Sequence, residues 1–281
     1  MQTRALGDLT VSAIGLGGMP LSVEGRPDEA QAVRTVHAAL DAGVTLIDTA
    51  DAYSIGADDV GHNEQLIAKA LSTWGGSSDV LVATKGGHTR TPDGDWEVDG
   101  TPEHLRAACV ASLRALGVDA IGLYQFHRPD PRVPYAESLG AIEELRAEGK
   151  VQLVGISNAD PDQIRLATET TQLVSVQNQL SPAFRSSLPE LELCTELGLA
   201  FLPWSPLGGI GKAGGLGSDH AAFGQVAAER GVSAQQVCLA WLLSLSPVVL
   251  PIPGASRPES IIDSAAATGL VLTAEELSRL S

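Results

Sequence analysis

Val151-Gln-Leu-Val-Gly-Ile-Ser157, then Asp160-Pro-Asp-Gln163, then Leu173-Val-Ser-Val-Gln-Asn-Gln179 is the stretch that decides the fold. The outer two segments are short, β-rich and almost continuously apolar, as strands buried on both faces must be. The middle segment has the form of a capping box: an acidic N-cap, proline at the first helical position, and glutamine three residues after the cap. Strand, helix and strand therefore follow one another within about thirty residues, which is a parallel βαβ unit.

The same alternation runs outward to both ends. Apolar runs lie at residues 12–17, 44–48, 80–85, 121–127, 151–157, 173–179, 199–205 and 248–254, eight in all. Helical spacing fills the gaps between them. Ala30, Val33, Val36 and Leu40 share one face, after Pro27-Asp28 and before a stop at Gly43. Thr101-Pro102 opens another helix, with Leu105, Cys109, Leu113 and Leu116 inward and Gly117 ending it. Thr273-Ala-Glu-Glu starts a short last helix, and residues 3–11 suit a small hairpin closing the lower mouth of a barrel. Eight β/α alternations without a linker predict one (β/α)₈ TIM barrel spanning residues 1–281, with a doubly wound sheet as the alternative.

Composition narrows the function. The 281 residues are 44% hydrophobic and 19% charged, ample for one large core. Eighteen basic against 34 acidic side chains give a net charge of −16, which repels nucleic-acid phosphates and anionic lipid. Cys109, Cys194 and Cys238 form no CxxC pair, so neither a zinc nor a disulfide framework is expected, and a reducing cytoplasm is. The start, Met1-Gln-Thr-Arg4, has no apolar leader, and no run approaches the roughly 18 apolar residues of a membrane span. His37, His62, His88, His104 and His220 lack metal-ligand spacing and are expected on the surface or on helix faces, His88 lying on a rim loop; no metal site is expected.

Charge interrupts the apolar runs at their C-terminal ends: Asp48, Lys85, His127, Ser157-Asn158, Gln177 and Ser205. In a (β/α)₈ barrel those ends converge on one mouth, where the active site sits. Asp48 and Lys85 on adjacent strands are expected to pair, with Tyr53, five residues after Asp48, in reach of the lysine. A neighbouring ammonium lowers the pKa of a phenol, so Tyr53 is expected to relay a proton at neutral pH. His127 is placed to donate a hydrogen bond to a carbonyl oxygen. Trp96, inside a long polar rim loop, and Met19 are candidates for the substrate pocket.

These residues resemble the aldo-keto reductase superfamily, and the resemblance covers nearly the whole chain. Val44-Thr-Leu-Ile-Asp-Thr-Ala-Asp-Ala-Tyr53, Gly61-His-Asn-Glu64, Ala83-Thr-Lys85, Tyr124-Gln-Phe-His-Arg-Pro-Asp130, Lys150-Val-Gln-Leu-Val-Gly-Ile-Ser-Asn158, Trp204-Ser-Pro-Leu-Gly-Gly209 and Ile252-Pro-Gly-Ala-Ser-Arg257 are similar to the family's segments, in the family's order. Among subfamilies the chain looks closest to compact bacterial reductases, including pyridoxal-reductase-like proteins, with an open substrate mouth.

The resemblance implies a catalytic tetrad of Asp48, Tyr53, Lys85 and His127 that reduces a small aldehyde or ketone. It implies NADPH as cofactor, with NADH as the alternative. Ser157, Asn158 and Gln177 would hold the carboxamide, and Gly18 would form a close-approach turn beneath the nicotinamide. Ser205, Leu207 and Gly209 would lie over the pyrophosphate, where the glycine-rich loop with Lys212 is also expected to close; Trp204, at a strand end, is expected near the nicotinamide. Ala255, Ser256, Arg257 and Ser264 would face the adenosine phosphate end. Here the pattern departs: Ser260 stands where arginine is common and Ser264 where asparagine is, leaving Arg257 as the lone cation.

Gly209-Ile-Gly-Lys-Ala-Gly214 matches GxGxxG literally, but too little chain follows for a Rossmann fold. A nucleotide-sensing regulatory subunit of the channel β-subunit type is a second function class. An alcohol dehydrogenase working in the oxidative direction uses the same residues. Monomer and homodimer both suit this barrel.

Overall fold

The computed structural model describes residues 1–76 and 79–281. In chain order the elements are β1 (Thr3–Leu6), β2 (Leu9–Ser12), β3 (Leu16–Gly17), α1 (Glu29–Asp41), β4 (Leu46–Asp48), α2 (His62–Trp74), β5 (Leu81–Gly86), β6 (His88–Arg90), β7 (Trp96–Val98), α3 (Pro102–Leu116) and β8 (Ile121–Phe126). There follow α4 (Tyr135–Ala147), β9 (Val151–Ser157), α5 (Pro161–Thr170), β10 (Leu173–Gln177), α6 (Leu188–Leu197), β11 (Ala200–Phe201), α7 (Leu216–Asp219), α8 (Ala221–Arg230), α9 (Ala234–Leu245), α10 (Pro258–Ala266) and α11 (Ala274–Leu280).

Local chemistry sets the helix ends. Asp28 caps α1 by accepting from Gln31 N, and Thr101 caps α3 with Pro102 behind it. Asp160 with Gln163, and Thr273 with Glu276, both close as complete capping boxes. Each such cap is worth about 1 kcal/mol. The inward face of α1 is Ala32, Thr35, Val36, Ala39 and Leu40. Ala30, expected on that face, is exposed and Val33 is half-buried. The helix is turned so that Ala32, Val36, Ala39 and Leu40, not Ala30, pack with Leu16 and Ile47 of the sheet.

The sheet is parallel and curled, in the order β11-β10-β9-β8-β5-β4-β3. The eighth expected strand, residues 248–254, forms no continuous ladder and closes the barrel by single bridges: Val249 to Phe201 on one side and Gly254 to Gly17 on the other. Prolines are the reason. Toward β11 the amide of Leu250 donates to Phe201 O, and beyond it that of Ile252 to Pro203 O, whereas the residues facing β3 are Pro251 and Pro253. These have no N–H, so on that side only their carbonyls take part, accepting from Gly15 and Gly17. The first expected strand is divided likewise: Ser12 ends β2 in the hairpin, and only Leu16–Gly17 joins the barrel.

The hairpin β1–β2 plugs the lower mouth. Its Leu6 and Val11 pack with Leu46, Ala83, Leu123, Val174, Leu202 and Leu250 inside the barrel. The interior is thus a packed core and not a pore. Among the described residues no helix is long and apolar enough to cross a membrane.

Candidate active site

Lys85 ends the core of the barrel with its ammonium fully buried. Its Nζ donates to Asp48 Oδ2 (2.6 Å), to Thr49 O (2.9 Å) and to Tyr53 Oη (3.0 Å). An ammonium has three protons, and all three are thereby committed. Burial pulls the pKa of Lys85 down, but Asp48 and Tyr53 outweigh it and hold the lysine above its ordinary value, charged. Asp48 is fixed from its other side by Gln177 Nε2 (2.7 Å) and Gln125 Nε2 (3.2 Å), which both donate to Oδ1.

Tyr53 is shifted opposite to the direction expected from its lysine. Burial raises its pKa above 10.0, and the opposing pull of Lys85 does not cancel this. The group is a phenol, not a phenolate, at neutral pH. Because Lys85 donates to the phenol oxygen, the phenol's own proton is left for the cleft that Tyr53 lines. His127 sits beside it, ring centroids 5.8 Å apart and edge-on. Burial first, then Lys85, His88 and Arg128, push the pKa of His127 well below 6.5, so the ring is neutral. Among the described residues nothing bonds its buried Nδ1.

These groups open into a cleft of about 1180 Å³, somewhat larger than most small-molecule pockets. Asp48, Tyr53, His127, Ser157, Asn158 and Gln177 are among its lining residues. Trp204, Ser205, Leu207 and Gly209, Ala255, Ser256, Arg257 and Ser264, and Met19 and Trp96 line it as well. Ser157 Oγ donates to Gln177 O (2.7 Å), and Asn158, at φ +57°, donates to His127 O (3.0 Å). The strand ends of β8, β9 and β10 are tied together by these bonds.

Two expected residues fall elsewhere. Lys212 is exposed and outside the lining of the cleft. Gly18 lies beneath the rim, its N donating to Asp48 O (2.7 Å), and Gly17 lines the cleft in its place. A Cβ on Gly18 would stand 2.6 Å from Asn63 Oδ1 and 2.9 Å from Asp48 O, so its role is close approach of backbone to backbone.

His88 and Arg128 also line the cleft. His88, expected on the surface, stacks on Trp96 (4.5 Å between centroids, 22°) and meets His127 edge-on at 4.8 Å. Burial and then the charges of Arg128, Arg90 and Lys85 lower its pKa to about 4. Arg128 directly follows His127, so the strand-end rule that singles out His127 extends to it by one residue.

Among the described residues the cleft has polar donors left without partners. Trp204 Nε1 is a buried donor without a partner among the described residues. Ser205, Gly208, Gly209 and Gly211 all have positive φ. Among the described residues nothing accepts from the amides of Gly209, Ile210 and Gly211. Free amides in a glycine-rich turn suit an anion.

The aldo/keto reductase family model matches residues 13–281. An uncharacterized oxidoreductase of Schizosaccharomyces pombe is 34% identical over 282 residues, covering 99% of this chain and 88% of the relative. Among solved structures, the glycerol dehydrogenase of Gluconobacter oxydans superposes with a TM-score of 0.85 at 26% identity, over 99% of this chain and 93% of that one. An aldo/keto reductase from Klebsiella pneumoniae, solved in complex with NADP and acetate, gives a TM-score of 0.82 at 29% identity, again over 99% and 93%.

Proposed function

The chain belongs to the aldo/keto reductase family, and from that membership we propose that it reduces the carbonyl of an aldehyde or ketone, with NADPH as reductant and Tyr53 as proton donor. The observation that carries this is the buried chain Asp48–Lys85–Tyr53, at 2.6 and 3.0 Å, ending at the cleft. The Klebsiella relative in complex with NADP supports the cofactor. The partnerless indole of Trp204 and the open amides of residues 209–211 are suited to hold it. Arg257, which lines the cleft, supports NADPH over NADH.

Each residue then has a task. His127, neutral, donates an N–H to the carbonyl oxygen and orients it. When bound, the nicotinamide supplies the hydride that the carbonyl carbon accepts. Tyr53 gives its proton to the oxygen as negative charge develops there. Lys85 stabilises the phenolate left behind, and Asp48 keeps Lys85 charged and aimed. Ser157, Asn158 and Gln177 are placed to bind the carboxamide. The acid is restored by a proton from solvent.

The same groups serve alcohol oxidation, a reading favoured by the likeness to a glycerol dehydrogenase. The three cysteines are free and buried, in keeping with work in a reducing cytoplasm. The barrel is read as one domain across residues 1–281.

The test is consumption of NADPH by the purified protein with a panel of aldehydes, pyridoxal among them, beside direct titration of NADPH binding. Turnover is expected. Tight binding of NADPH with no turnover in either direction would favour a nucleotide-sensing regulator.

A further inference from the structure

Arg128 is half-buried on the rim of the cleft, one residue beyond His127. Its neighbours on the same rim are neutralised: Arg90 pairs with Glu24 at 2.7 Å, and Arg132 with Asp130 at 2.9 Å. Among the described residues no carboxylate lies within ion-pair distance of Arg128. Burial lowers its pKa, and the one opposing influence is the oxygen of Tyr53. A guanidinium drawn out of water without a partner is costly. On a chain of net charge −16, where acidic side chains outnumber basic ones 34 to 18, this isolation is itself an observation.

The surroundings restrict what can meet it. His88 stacks on Trp96, His127 meets His88 edge-on, and Tyr53 meets His127 edge-on, so the surroundings are aromatic. Of the groups near Arg128, Lys85 is buried and committed to Asp48, and His88 and His127 are neutral. Among the described residues around Tyr53, His88 and His127, Arg128 is therefore the positive charge without an ion-pair partner, in aromatic surroundings that lead to the proton donor.

We propose that Arg128 is a specificity-determining residue that binds an anionic group of the substrate, so that the preferred substrates are planar aldehydes carrying a carboxylate. The inference rests on the reductase reading of the site. The reaction is unchanged by the anion: the carbonyl carbon takes a hydride from NADPH, its oxygen takes the proton of Tyr53, and alcohol and NADP⁺ leave. A planar fork suits a carboxylate bidentately, which an ammonium cannot reproduce in full.

The experiment compares kcat/KM for 3-carboxybenzaldehyde and for 3-nitrobenzaldehyde, which has a similar shape and no net charge, in wild type, Arg128→Gln and Arg128→Lys. The ratio of the two values cancels effects common to both substrates. It is expected to fall at least about tenfold in Arg128→Gln and to recover in part in Arg128→Lys. In a second measurement, 3-(hydroxymethyl)benzoate is titrated into the NADP⁺-bound protein and followed by tryptophan fluorescence; its Kd is expected to weaken by a similar factor in Arg128→Gln. An unchanged ratio with an unchanged Kd overturns the proposal while nitrobenzaldehyde reduction leaves the reductase reading standing. Equal loss on both aldehydes also overturns it and assigns Arg128 to the acidity of Tyr53. If no form reduces either aldehyde, the reductase reading fails and this inference fails with it.

Discussion

Lys85 Nζ donates to Tyr53 Oη at 3.0 Å, and the phenol it touches has a raised pKa, not a lowered one. The lysine holds the phenol oxygen and, in the proposed reduction, stabilises the charge left there. It does not ionise it in advance.

Tyr53→Phe keeps the ring and removes the proton. The substitution is expected to lower kcat by about 10²–10⁴ while NADPH binding, read by fluorescence titration, changes little. Reduction at the wild-type rate would assign the proton donor to another residue.

Lys85→Met leaves the Asp48 carboxylate buried with only the amides of Gln125 and Gln177 for partners. Breaking a buried pair in this way costs about 3–5 kcal/mol, to be seen as a lower midpoint in chemical denaturation. Asp48→Asn added to Lys85→Met should restore part of that stability without restoring turnover. A double variant no more stable than the single one would mean that the pair is not the source of the loss.

The pH profile of reduction should lack an inflection near 6.5, the ordinary histidine value. His127 is held well below it and His88 at about 4, so both stay neutral through that range. Tyr53 remains protonated until the pH passes above the ordinary tyrosine value of about 10, and the rate should fall only there. For stability the sign is opposite at the acid end. A histidine whose folded pKa is depressed binds its proton more readily in the unfolded chain, so the contribution of His88 is complete above 6.5 and lost as the pH falls toward 4. Thermal melting between pH 7 and 4 and a pH–kcat/KM profile measure the two effects.

Arg90 stacks on Trp96 with its guanidinium carbon 3.9 Å from the ring centroid, and donates to Ser54 O from Nε at 3.1 Å and to Gly94 O at 2.6 Å. It thereby joins the β6–β7 hairpin to the loop that carries Tyr53. Arg90→Lys keeps the charge but loses the planar fork. The variant should melt several degrees lower, for a loss of about 1–3 kcal/mol, and show a raised KM for aromatic aldehydes. Wild-type melting and KM would show that this clamp is dispensable.

The alternation of strand and helix was written locally. Apolar runs, the capping boxes at Asp160 and Thr273, and the glycine after α3 act through neighbours in sequence, so the barrel and its rim were legible from the residues. The convergence of Asp48, Lys85, Tyr53 and His127 was legible for the same reason: parallel strands that end in polar residues must present them at one mouth. Tertiary structure alone decided what depends on partners distant in the chain. The closing segment at 248–254 makes only isolated bridges, because the alternation of Pro251 and Pro253 matters only once it is known which side faces β3. The pKa of Tyr53 rises because the whole fold removes it from water, a larger effect than its nearest charge. The place of His88 against Trp96 and the lack of a partner for Arg128 likewise follow from which loops meet over the cleft, and burial and pairing are properties of that meeting, not of either residue.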